Sequence, residues 1–244
     1  MPRTASSADR RAHGVLPALQ PGSRLPGAVQ GHAHLVIVLC AIGMIYASLI
    51  AIRQDDIKRL IAYSSIAHIG LMCAAIFVQN QIGLEGVMIQ MFNHGINVIG
   101  LWIIADVIEQ QLGTRKISEL GGLAQKAPIM AILLVLMALA NIALPLTNAF
   151  VGEFLMFNGL FQFNSWMAAI AGISIILAAV YTLNMIQKIF YGNTVERTSA
   201  AIEINFPAQI ALGILVVLVL VMGVYPQPMI ELTKDTVNAI FVQR

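Results

Sequence analysis

The chain has 244 residues, 58% of them hydrophobic and only 11% charged, with a mean hydropathy of +0.81. Globular domains run nearer a quarter charged, so this composition excludes an ordinary soluble domain; apolar runs of about 20 residues recur, which points to an all-α, polytopic membrane protein. A net charge of +2 gives no footing to a nucleic-acid partner, and Cys40 and Cys73 stand alone in separate apolar runs, a poor start for a zinc or iron–sulfur site.

Residues 1–34 differ from the remainder. They hold Pro2, Pro17, Pro21 and Pro26, four arginines (Arg3, Arg10, Arg11, Arg24) and three of the five histidines, without helical periodicity. This Pro/Arg-rich stretch reads as a disordered tail, a mis-framed or truncated start, or a transit peptide.

Membrane spans are predicted at about 35–53, 57–79, 84–109, 128–163, 166–190 and 207–225. Lys and Arg fall in alternate turns: Arg53, Lys58 and Arg59; Arg115, Lys116 and Lys126; Lys188 and Arg197; the turns near 79–83 and 163–166 have none. That alternation marks one face as cytoplasmic, or as the matrix side in a mitochondrion, and puts both chain ends on the other.

Residues 128–163 are too many for one straight span, yet counting them as two would put Lys188 and Arg197 on the wrong side. One span made of two half-helices, broken near Pro145–Asn148, keeps the alternation. Glu153 follows the break. A carboxylate at membrane depth costs roughly 2.5–3.5 kcal/mol or more, so it is expected to face the bundle interior and carry a proton there. A kinked helix with polar residues turned to a neighbour is the plainer reading.

In the second span Asp55 and Asp56 open a helix in which Ser64 and His68, four apart, share a face. Histidine suits proton relay, although a lone intramembrane histidine also serves as an interhelical hydrogen-bonding group. In the third span Gln90, Asn93, His94 and Asn97 stand at i, i+3, i+4 and i+7, a polar stripe that has to face protein or water. Glu85 reads as interfacial, Asp106 and Glu109 as surface or pathway-mouth groups, and Lys58 and Lys188 as snorkelling lysines. Tyr181, Asn184 and Lys188 make another polar line in the fifth span. Residues 226–244 follow as a short amphipathic segment at the membrane surface.

Four blocks occur in order: Asp56–Gly70 (DIKRLIAYSSIAHIG), Ile89–Gly95 (IQMFNHG), Arg115–Leu123 (RKISELGGL) and Phe150–Phe154 (FVGEF). Together they resemble the antiporter-like membrane subunits of proton-pumping NADH:quinone oxidoreductase, respiratory complex I. The resemblance implies a fold of about fourteen helices in two inverted repeats, of which this chain matches the last six. It places His68 and His94 on the central proton axis and Glu153 on the terminal carboxylate; the polar positions Ser64, Gln90, Asn93, Asn97, Asn148, Tyr181 and Asn184 read as supporting pathway groups. It implies no cofactor in this chain, with NADH, FMN, iron–sulfur clusters and quinone on other subunits. Expected partners are neighbouring membrane-arm subunits and the lipid bilayer, in a bacterial inner membrane or a mitochondrial one. Family members also carry two buried lysines and a glutamate further upstream. The nearer lysine falls around residue 11, where arginines and prolines stand instead. The chain therefore reads as the C-terminal part of a longer subunit, split or frameshifted. Rival expectations are a subunit of a multisubunit cation/proton antiporter and a structural remnant that conducts nothing.

Overall fold

The structure is a computed structural model, and it describes residues 32–242. The atypical stretch 1–34 therefore lies outside the described residues except for its last three. The long helices are α1 (Ala33–Arg53), α2 (Ile57–Val78), α3 (Gln81–Leu112), α4 (Pro128–Asn141), α5 (Asn148–Phe163), α6 (Ser165–Phe190), α7 (Phe206–Val224) and α8 (Gln227–Val242). Five of them (α1, α2, α3, α6 and α7) are long and apolar enough to cross a membrane. The sixth span is α4 and α5 together.

Local chemistry sets most helix ends. Asp56 caps α2 by accepting from Arg59 N at 3.1 Å, and Asn80 caps α3 by accepting from Gly83 N at 2.7 Å. Asn164 caps α6 through Trp166 N and Met167 N, and Asn205 caps α7 through Ala208 N. At the end of α3, Gly113 adopts φ +64°, the left-handed conformation that closes many helices.

The break spans residues 142–147, slightly earlier than the sequence suggests. Its upstream side is a Schellman turn: Leu144 N donates to Leu139 O and Ala143 N to Ala140 O, both at 3.1 Å. Ala143 takes the left-handed position (φ 56°) that glycine usually occupies. Pro145 follows and prevents the helix from resuming. Leu146 is also left-handed (φ 75°) before Thr147 and Asn148 start α5.

Helix α3 runs unbroken beside both halves. Going along it, Gly83 lies against Gly159, Gly86 against Gly152 and Met156, Asn93 against Asn148, Asn97 against Ala140, and Gly100 against Met137. The antiparallel descent continues across the break, with residues 142–147 looped out. Thus α4 and α5 make one span, as the alternation of basic turns requires.

The three basic turns meet at one end of the bundle. Ile57 N donates to Arg115 O (3.0 Å), Gly122 N to Tyr191 O (3.3 Å) and Thr198 Oγ1 to Gly121 O (2.7 Å). There the hydroxyl of Thr114 donates to Glu119 at 2.6 Å and, with Lys116, holds that carboxyl below the usual range. At the other end Asn80 Nδ2 donates to Gly159 O (2.8 Å), and Gln81 on α3 bonds Asn238 of α8 (2.9 Å).

Lys58 does not behave as a lone snorkelling lysine. Its Nζ lies 2.9 Å from Asp106 Oδ1 and 2.7 Å from Glu109 Oε2, and 5.5 Å from the centre of the Trp102 ring. The start of α2 packs beside the end of α3, so residues that read singly as surface groups form one cluster.

Candidate functional site

The bundle has two separate apolar cores, one toward each end. The first includes Ile61, Leu101, Ile104, Met130, Leu134 and Met137; the second includes Met44, Leu71, Met72, Val87, Met156 and Leu160. Between them helices α2 to α6 contribute polar side chains at the same level. Ser64 and His68 come from α2, Gln90, Asn93, His94 and Asn97 from α3, Asn141 from α4, Asn148 and Glu153 from α5, and Tyr181 from α6.

The centre of this layer is a direct contact. His68 Nδ1 and Glu153 Oε1 are 2.9 Å apart, with His68 only 7% and Glu153 5% exposed. Gln90 Nε2 approaches the same carboxylate oxygen at 3.4 Å. The approach depends on Gly152: a Cβ there would sit 2.5 Å from Gln90 Oε1 and 2.9 Å from Gln90 Cβ. The glycine before Glu153 is thus what lets α5 press against α3 and bring the carboxylate to the axis.

The stripe on α3 divides between two neighbours. Asn93 and Asn97 turn to the broken span: Asn93 Nδ2 donates to Asn148 O at 2.8 Å and Asn97 Nδ2 to Ala140 O at 3.3 Å. Asn148 Nδ2 returns a bond to Asn93 O at 3.4 Å, and its Oδ1 accepts from Ala149 N. His94 turns to α2, where its ring centre lies 5.2 Å from that of His68; it is half-buried.

Ser64 collects a second group. Asn141 Nδ2 donates to its Oγ at 2.9 Å, and Tyr181 Oη donates to the same oxygen at 3.0 Å. Tyr181 and Ser174 also line a cavity with His68 and Glu153, with about 10 Å³ open to the centre of a water molecule, the threshold for holding one. Asn184 is half-buried and joins none of these contacts. Asn141 and Ser174 escape a reading of the residues as pathway groups. Asn141 could have been found from its place at the end of the first half-helix, but a single serine in an apolar span carries no such signal.

Imidazole and carboxylate are the side-chain types that exchange protons across contacts of this length. The separation of His68 Nδ1 and Glu153 Oε1 is that of a hydrogen bond, and His68 Nε2 has no hydrogen-bond partner among the described residues. That leaves the far side of the imidazole open to exchange with His94 or the cavity.

Residues 25–181 match the family model described as NADH:quinone oxidoreductase/Mrp antiporter, TM. The chain is 37% identical over 213 residues to NADH-quinone oxidoreductase subunit M of Rhodobacter capsulatus, which covers 87% of this chain and 42% of that protein. It superposes on a chain of respiratory complex I from Thermus thermophilus with bound NADH at a TM-score of 0.80 and 29% identity, over 88% of this chain and 46% of that one. A chain of the Mrp complex from a Dietzia species gives a TM-score of 0.80 over 87% and 48% of the two chains, and at 17% identity it is alike in fold alone. The chain spans less than half the length of each of these three.

Proposed function

The chain belongs to the NADH:quinone oxidoreductase/Mrp antiporter transmembrane family, and from that premise we propose that it is a membrane-arm subunit of a proton-translocating NADH:quinone oxidoreductase. It supplies part of a proton channel, driven through conformational or electrostatic coupling by quinone reduction elsewhere in the complex. Its motif blocks resemble those of chain M, also called subunit 4. Electron-transfer cofactors belong to other subunits, and its neighbours are other antiporter-like subunits in a bacterial inner membrane.

The observation that carries this reading is the buried His68–Glu153 contact beside a broken helix. A proton accepted at His68 Nε2 allows the proton at Nδ1 to pass to Glu153 Oε1, so the imidazole relays without moving. His94 feeds the open nitrogen, and Gln90 steadies the carboxylate. Glu153 then holds or releases the proton as a neighbouring charge comes and goes. Moving one charge against 100 mV takes about 2.3 kcal/mol, which a charge nearby in a low dielectric can supply.

The test is Glu153→Gln in the assembled complex. Proton translocation driven by NADH oxidation should fall by most of its value while assembly is retained; unaltered pumping rules the role out. The family description also covers a cation/proton antiporter subunit. Copurification with NADH- or quinone-handling subunits favours the first reading, and copurification with small antiporter subunits the second. A chain that packs in the arm without conducting would leave pumping indifferent to Glu153.

A further inference from the structure

The two cysteines stand in separate apolar runs of the sequence, yet the fold brings them together. Helix α1 packs closely on α2, and the crossing is tightest at Gly70. A Cβ there would lie 2.6 Å from Met44 Cγ and 3.5 Å from the backbone oxygen of Cys40. Helix axes ordinarily stand about 8–10 Å apart, whereas a disulfide needs Cα atoms about 5.5 Å apart, so only a close crossing can carry one. Gly70 supplies that crossing. Cys73 lies one turn further along α2 on the same face, and its thiol meets that of Cys40 within reach of a side-chain hydrogen bond. Both residues are half-buried, at the edge of the second apolar core.

Their depth gives the contact a chemistry. Cys40 is two turns from the Ala33 end of α1, and Cys73 is within two turns of the Val78 end of α2. At 1.5 Å per residue both thiols lie about 8–10 Å inside the face opposite the basic turns. On the proposed function that face is the periplasmic one, and the periplasm is a compartment where disulfides form and persist.

We propose that Cys40 and Cys73 form a disulfide that staples α1 to α2 near the outer face of the membrane. Two thiols give one S–S bond, two protons and two electrons, and a disulfide oxidant of the outer compartment takes the electrons. One cysteine thiolate attacks the oxidant's S–S bond, forming a mixed disulfide and releasing one thiol; the second cysteine then displaces the other sulfur. Apolar surroundings disfavour the thiolate, so the exchange takes place as the two helices assemble, and the closed bundle afterwards shields the bond. The staple anchors α2, the helix that carries Ser64 and His68, to a helix that contributes nothing to the polar level. It borrows from the proposed function only the orientation of the chain in the membrane.

The chain has two cysteines, so a count of its thiols tests the bond. Cells making the full complex are quenched in acid, denatured with N-ethylmaleimide, and treated with a polyethylene-glycol maleimide with or without prior reduction. The band of this chain should shift by two tags after reduction and by none without it, and mass spectrometry should find the α1 and α2 peptides joined with the loss of two hydrogens. The bond closes a loop of about 33 residues, so reduction should lower the thermal midpoint of the purified complex by about 5–10 °C. Cys40→Ser should start lower and show no such fall. Two N-ethylmaleimide-blocked thiols in the quenched chain, giving no tag even after reduction, or a disulfide to another chain, would overturn the staple. Rapid joining of such free thiols by diamide would then place the fault in the assumed compartment rather than in the contact. Thiol state is read without turnover, so its failure leaves the proton role of Glu153 standing, and unaltered pumping in Glu153→Gln leaves the staple standing.

Discussion

Removing His68 is the sharpest perturbation of the buried pair. Its Nδ1 lies 2.9 Å from Glu153 Oε1, and the other polar group near that oxygen, Gln90 Nε2, is at 3.4 Å, too far to replace it. If the two side chains are oppositely charged, His68→Ala strands a buried carboxylate at a cost of about 3–5 kcal/mol. If they share a neutral hydrogen bond, the loss is about 0.5–1.5 kcal/mol. Truncation also removes packing, so a single variant mixes two effects. A cycle of His68→Ala, Glu153→Ala and the double variant cancels the packing term. The assay is thermal unfolding of the solubilised chain, for which about 2–4 °C accompanies each kcal/mol at this size. A charged pair predicts a fall on the order of 10 °C for His68→Ala, with little further loss when Glu153 follows. A coupling near 1 kcal/mol marks the neutral bond instead. Coupling below about 0.5 kcal/mol, the additivity of independent sites, refutes the contact altogether.

Two substitutions away from the titrating groups test how the site is held. A Cβ on Gly86 would lie 2.8 Å from both Gly152 O and Met156 N, so Gly86→Ala should push α3 from α5 and cost about 1–3 kcal/mol in the same assay, with reduced proton translocation. Glu203 caps α4 from a distant loop, accepting from Ile129 N at 2.9 Å and Met130 N at 3.0 Å. Glu203→Ala should cost about 1–2 kcal/mol of stability and leave translocation per assembled complex unchanged.

Much of this architecture can be read along the chain, because periodicity and capping are local. Asp56 sits where an acidic cap belongs, and the stripe from Gln90 to Asn97 shows by its spacing that it faces protein. What spacing cannot show is which neighbour each member meets. Asn93 and His94 differ by one position, yet that rotation sends one to α5 and the other to α2. The contact of His68 with Glu153 joins residues 85 positions apart and depends on Gly152 and Gly86 closing two helices, a tertiary event without a local signature. The break is legible from Pro145, but its start is not. The turn that ends α4 uses Ala143 in a conformation usually given to glycine, so the expected punctuation is absent. Lys58, Asp106 and Glu109 were legible only as separate surface charges for the same reason as the histidine pair: they belong to different helices.

The polar level is closed off on both sides, and on the proposed function that decides where the work of transport falls. Toward the basic turns, Ile61, Leu101, Ile104, Met130 and Met137 separate Ser64, Asn97 and Asn141 from the Lys58 cluster. Toward the other end, Leu71, Met72, Val87, Met156 and Leu160 separate His68, Gln90 and Glu153 from the surface. Within the level, the steps are short: 2.9 Å from His68 to Glu153 and 5.2 Å between the two imidazole centres. A charge leaving in either direction meets apolar side chains, where an ion costs roughly 2.5–3.5 kcal/mol or more at membrane depth. Under the proposed proton role, relay among the polar residues is the easy part of the path, and wetting one apolar core while the other stays dry is the step that has to be driven. The only backbone interrupted at this level is that of residues 142–147 among the described residues, between a span half that packs on the first core and one that packs on the second. A shift of α4 against α5 loosens one core without loosening the other, whereas the continuous helices α2, α3 and α6 would have to move both together.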